Sequence, residues 1–156
     1  MICRTTCVAM YNSTASGLSG EEYEVVTQEL QSGNETNQNS RWHDLIPVGL
    51  TKYILRPETV ESLYVMYSKT RNPLFREWGW QLWEMIKKRC KGTFGFADLS
   101  NEENKDSPLD DRGETFFYSE TIKYLYLLFA EEGPTYLDSY VFNTEAHLIP
   151  KQTRSV

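Results

Sequence analysis

The stretch from residue 114 to residue 130, ETFFYSETIKYLYLLFA, constrains this chain more than any other. As a helix it is apolar round most of its circumference, and a helix of that kind needs neighbours on every side. One acid, Glu120, interrupts it. Burying a carboxylate is costly unless it is hydrogen-bonded, paired or close to a metal. The segment therefore requires a larger helical assembly and a reason for a carboxylate within it.

Two further helices are legible. Pro57 suits a first helical turn, and Val60, Leu63, Tyr64 and Tyr67 follow at helical spacing, predicting a helix over 57–69. After the short turn TRNP, Pro73 opens a second helix that runs to about Cys90. Phe75, Trp78, Leu82, Met85 and Ile86 lie on one side, with KKR near its C-terminal end. GTFGFADL reads as a short strand or hairpin, NEENKDSPLDDRGE as a charged loop of solvated surface, and YLDSYVFNTEAHLIP as a closing hairpin or loop. Upstream, residues 1–16 suit the end of a helix, 31–40 (QSGNETNQNS) a polar insertion, and RWHDLIPVGLTKYI an extended segment. A few helices and strand scraps do not close an architecture. The pattern is that of part of a larger helical barrel.

At 156 residues the chain is long enough for one domain with a real core. Its 16 basic and 22 acidic residues give a net charge of −6, without the basic stripe of a nucleic-acid binder. Aromatics make up 13% of the sequence, which suits a sugar site and a helical core equally. No apolar run is long enough for a bilayer, and MICRTTCVAM has no signal-peptide core. Cys3, Cys7 and Cys90 are an odd count without zinc-ligand spacing. Sequons at Asn12 and Asn34 would be glycosylated only in a secretory compartment.

The informative polar residues stand in apolar contexts. Glu58 and Glu61 head the first helix beside Arg56, Glu120 lies within the third, and Glu145 follows Thr144 in VFNTEAH. Acids at a helix N-terminus also have a purely structural role, because they favour its positive end. Acids converging from separate segments would instead need a cation. Carboxylates with threonine and main-chain oxygens are hard donors suited to calcium rather than zinc.

LRPETVES, ETFFYSETIKYLYLLF and YVFNTEAH, in this order, resemble the signature segments of class I α-1,2-mannosidases, glycoside hydrolase family 47. CVAMYNSTASGLSGE resembles that family's helix end and following turn, and the likeness runs from about Cys7 to Pro150 outside the insertion. The resemblance implies an all-α fold, the last helices only of an (α/α)7 barrel, with short β-hairpins. Residues 1–150 would be the C-terminal third of the catalytic domain and 151–156 a tail. It implies calcium-dependent, inverting hydrolysis of α-1,2-linked mannose on the high-mannose N-glycans of glycoproteins. The compartment would be the endoplasmic reticulum or Golgi lumen, with membrane attachment only through an N-terminal anchor outside this chain.

By the same resemblance Thr144 binds calcium directly, through its main-chain oxygen and its hydroxyl. Glu21, Glu61, Glu120 and Glu145 hold the calcium waters, Glu120 and Glu145 also meeting substrate. Glu58 is the general base, Arg56 lies beside the substrate and Phe116 against the sugar ring. Gly20 stands where the family has proline, leaving Glu22 as an alternative to Glu21, and Leu148 replaces another family proline. His147 reads as a local hydrogen-bonding residue. The disulfide partner of Cys7 would lie upstream, while Cys90 reads as a small core residue. Because the general acid's segments would also lie upstream, the chain alone is expected to be inactive. The alternative is a truncated product that binds glycans or partners a mannosidase without catalysis.

Overall fold

The computed structural model describes Leu18, Tyr23–Val25, Leu45–Pro47 and residues 52–152. Strands β1 (Tyr23–Val25) and β2 (Leu45–Pro47) pair antiparallel, Glu24 opposite Ile46. Helix α1 (Glu58–Thr70) and helix α2 (Leu74–Arg89) each begin directly after the proline that announced them. Acids occupy their first turns (Glu58 and Glu61; Glu77) and bases their last (Lys69; Lys87, Lys88 and Arg89), the arrangement that the helix dipole favours. Arg71, at φ 56°, ends α1 in a left-handed turn, and the Asn72 side chain accepts the Leu74 N–H to start α2.

After α2 the GTFGFADL segment forms a tight turn, with Lys91 bridging Phe96, and enters β3 (Asp98–Leu99). β3 pairs antiparallel with β4 (Leu109–Asp110). Glu102, within the stretch expected to be solvated surface, is instead only 1% exposed. The loop folds back between two paired strands, and that closure carries one acid inward. A π-helical turn (Phe117–Thr121) then leads into α3 (Ile122–Phe129). A 3₁₀ turn (Gly133–Thr135), α4 (Tyr136–Ser139) and the hairpin β5 (Tyr140–Phe142)–β6 (Leu148–Pro150) complete the described chain.

The core lies between α1, α2 and α3. Val60, Leu63 and Tyr64 of α1 face Tyr124, Leu125 and Leu128 of α3, all buried, and Leu18 joins the same cluster. Tyr64, Tyr124 and Phe142 form an aromatic triangle with centroids 5.4–5.9 Å apart, joining both helices to β5. The Tyr64 hydroxyl donates to the Gly133 carbonyl at 2.8 Å. At Gly79 a β-carbon would meet Leu128 Cδ2 at 2.3 Å, so glycine is what lets α2 approach α3 this closely. Cys90 is fully buried, as a small core residue should be. The outward sides of α1 and α3 expose Val65, Met66 and Tyr126, and Tyr118 stands out from the π turn. Along α3 itself Tyr126 is exposed, and the other residues are buried or half-buried.

Candidate active site and cation cradle

Three separated segments build the site. The first is the entry to α1. Leu55 is fully buried at φ 66°, a conformation that costs a side chain with a β-carbon on the order of 1–3 kcal/mol. Its carbonyl accepts a 2.7 Å hydrogen bond from the buried Thr121 hydroxyl, which ties this strained point to the π turn. The kink delivers exposed Arg56, buried Pro57 and exposed Glu58 in succession, with half-buried Glu61 one turn on.

The second segment is the π turn itself. The Ile122 N–H reaches back five residues to the Phe117 carbonyl, widening the helix where Glu120 sits. Phe117 and Thr121 are buried and Glu120 is 7% exposed, while Phe116 is half-buried. Of the adjacent phenylalanines, Phe117 is therefore the packing residue and Phe116 the one left with an open face.

The third is the turn between β5 and β6. The Asn143 side-chain oxygen accepts the N–H groups of Glu145 (3.0 Å) and His147 (2.8 Å). The Asn143 N–H donates to the His147 carbonyl, and the Ala146 N–H to the Asn143 carbonyl. This closed loop presents Thr144 and Glu145 outward, both exposed, and places Ala146 inward at φ 55°. Lys123 Nζ reaches across from α3 to the Ala146 carbonyl.

Hydrogen bonds join the three segments: Thr121 to the Leu55 carbonyl, Tyr124 to Glu61 and Lys123 to the Ala146 carbonyl. Burial raises the Glu120 carboxyl above its ordinary value, the charges of Glu145, Glu58 and Glu61 raise it further, and His147 opposes them. The Tyr124 hydroxyl donates to Glu61 Oε1 at 3.3 Å, and burial together with Glu61 raises its ionisation well above the ordinary tyrosine value. Glu58, Glu61, Glu120 and Glu145 thus share one negative site, although 87 residues separate the first from the last in sequence. Glu21 lies outside the described residues.

Among the described residues no three His, Cys, Asp or Glu side chains could hold a metal ion directly. The donors that do gather, carboxylates beside a turn offering a threonine hydroxyl and carbonyl, suit a hard cation held largely through water. Sequence reasoning had not singled out Thr121, Lys123, Tyr124 or Asn143. Lys123 and Tyr124 lie three and four residues beyond Glu120, and Asn143 directly precedes Thr144, so each was within reach of a spacing argument.

The sequence pattern described as Glycosyl hydrolase family 47 matches residues 3–151. Mannosyl-oligosaccharide 1,2-alpha-mannosidase MNS3 of Arabidopsis thaliana is 40% identical over 152 residues, covering 93% of this chain and 24% of the relative. The endoplasmic reticulum mannosyl-oligosaccharide 1,2-alpha-mannosidase of Schizosaccharomyces pombe is 40% identical over 151 residues, covering 93% and 27%. The solved α-1,2-mannosidase from Trichoderma reesei superposes with a TM-score of 0.76 at 27% identity, over 96% of this chain and 32% of that one. The chain spans about a quarter of the length of these curated relatives. The likeness bears out the expected fold class: helices from an (α/α)7 barrel with short hairpins, without a closed barrel among the described residues.

Proposed function

This chain belongs to glycosyl hydrolase family 47, and from that membership we propose that it supplies the C-terminal third of a catalytic domain that trims N-glycans. The reaction is calcium-dependent, inverting hydrolysis of terminal α-1,2-linked mannose. The convergence of Glu58, Glu61 and Glu145 on the buried Glu120 carries the reading. It gathers four carboxylates around a turn that offers two further oxygens.

In this reading Thr144 holds calcium through its hydroxyl and carbonyl, and Glu61, Glu120, Glu145 and Glu21 hold its waters. Bound calcium supplies a hard template for sugar hydroxyls. Glu58, exposed at the head of α1, takes a proton from the attacking water. Tyr124, bonded to Glu61, fixes that carboxylate's orientation. Arg56 meets the substrate's polar edge and Phe116 the ring face. Inversion places the acid roughly 6.5–9.5 Å from the base, and the acid is assigned to a part of the catalytic domain outside these residues. The compartment is the lumen of the endoplasmic reticulum or Golgi, where the Cys7 disulfide and both sequons become usable.

The test uses the purified chain and a chimera in which it replaces the matching segment of a family member. An α-1,2-linked mannobiose should be cleaved only by the chimera, only with calcium, and with inversion seen by NMR. Glu58→Gln in the chimera should lower kcat by about 10²- to 10⁴-fold with unchanged melting temperature. Turnover by the 156-residue chain alone would refute the assignment of the acid, and normal turnover by Glu58→Gln would refute the base. Calcium-dependent glycan binding by a chimera without turnover would favour a non-catalytic role.

A further inference from the structure

The turn between β5 and β6 is poorly anchored by its own exposure. Asn143, Thr144, Glu145 and His147 all face solvent, and Ala146 alone is buried. Ala146 also holds a left-handed backbone at φ 55°, disfavoured for a residue with a β-carbon. The internal hydrogen bonds of Asn143 shape this turn but do not tie it to the helices. Phe142 of β5 packs on Tyr64 and Tyr124 and Ala146 packs in the core, and the polar tie of the turn to α3 is made by Lys123, whose ammonium donates to the Ala146 carbonyl. A lysine loses several rotors when it is held to one acceptor, so such a bond persists only where surrounding contacts offset that loss. Lys123 is half-buried on α3, three residues beyond Glu120, and those contacts are available to it.

We infer that Lys123 is a positioning residue: it clamps the Thr144-bearing turn onto the same helical unit that carries Glu120. One segment then sets the spacing between the buried carboxylate and the threonine oxygens, while Phe142 anchors the base of the hairpin. The value of this spacing for calcium rests on the reading of Thr144 given above, whereas the clamp itself does not.

The experiment has two arms on the whole chain. In the first, hydrogen exchange is measured without metal. Lys123→Met keeps the apolar stem and removes the donors, and exchange at the amides of Glu145, Ala146 and His147 should accelerate about tenfold while Leu127 and Leu128 stay protected. Lys123→Arg retains a donor and should restore most of the protection. In the second arm, calcium is titrated calorimetrically, and Lys123→Met should bind it about 10- to 100-fold more weakly, with Lys123→Arg recovering most of the loss. Unchanged exchange in Lys123→Met overturns the clamp whether or not calcium binds. Should Lys123→Met lose protection in α3 as well, Lys123→Arg decides: parent-like exchange in the turn supports the clamp, and raised exchange there with α3 intact overturns it. A Thr144→Ala variant that binds calcium like the parent would refute the calcium reading alone and leave the exchange result standing.

Discussion

Two acid-rich regions of this molecule look alike in composition and differ in construction. The β3–β4 region draws its acids from one contiguous stretch. Asp98 lies opposite Asp110 across the strands, with Glu114 nearby. It also carries its own cations: Lys52 Nζ is 3.1 Å from Asp110 and Arg112 Nε 3.6 Å from it. The site around Glu120 draws its carboxylates from three segments distant in sequence; His147 opposes their charge at Glu120, and Lys123 holds the turn that carries Glu145. Acids gathered from nearby with their own counter-charges are a means of closing a hairpin. Acids gathered from afar cannot serve to close a local hairpin, and their convergence asks for another cause.

The sharpest way to break this comparison is to neutralise one acid in each region. Glu120→Gln should weaken calcium binding about 10- to 100-fold. It should leave the metal-free protein no less stable, because it removes a charge that Glu145, Glu58 and Glu61 oppose. Calorimetric titration checks the first outcome and thermal melting with a chelator the second. Unaltered affinity would reduce the Glu120 site to another structural cluster.

A smaller effect is expected from Asp98→Asn. Burial, then the charges of Glu114 and Asp110, raise the Asp98 carboxyl from 3.8 to about 6, against Lys52 and Arg112. Its Oδ1 is buried without a hydrogen-bond partner. A raised folded value means that the fold favours the protonated acid. That contribution is fully present below about pH 3.8 and is lost as pH rises through about 6. Asp98→Asn should flatten this dependence and raise the melting temperature at pH 8 by about 2–4 °C, the response of a chain this long to ~1 kcal/mol. Calcium affinity should not move. A variant that melts lower than the parent at pH 8 would show that the carboxylate is needed ionised.

The smallest effect belongs to Lys52→Met. The Lys52–Asp110 pair is part-exposed on both sides, so its removal should cost less than about 1 kcal/mol, screened further by salt. Denaturant melts at low and high ionic strength measure it. A larger, salt-independent loss would mean that the counter-charge holds β3 and β4 together.

How much of this was legible depended on whether the cause was local. Pro57 and Pro73 mark the starts of α1 and α2 because proline pre-sets the backbone of a first turn, and Val60, Leu63 and Tyr64 are buried as their spacing required. The hairpin after Tyr140 was readable as extended chain, and the identities of Glu58, Glu120 and Thr144 came with the motifs that contain them. Burial of Glu102 was not readable, since it depends on β4 returning to β3 and not on its charged neighbours. Nor was the strain at Leu55, which is held by a hydroxyl 66 residues away. Tyr124 as partner of Glu61 likewise needs two helices to be packed first. Patterns of period 3.6 reveal faces, whereas contacts between faces belong to the tertiary fold.

The widened turn at Phe117–Thr121 has a consequence for length rather than for composition. An ordinary helix advances about 100° per residue, so losing one residue here would straighten the coil and swing Phe116 and everything before it by roughly that angle relative to α3. Phe116 and the residues of α3 would then part company although their own side chains were unchanged. In this stretch the count of residues itself sets the geometry, and an insertion or deletion would change a direction that a conservative substitution leaves alone.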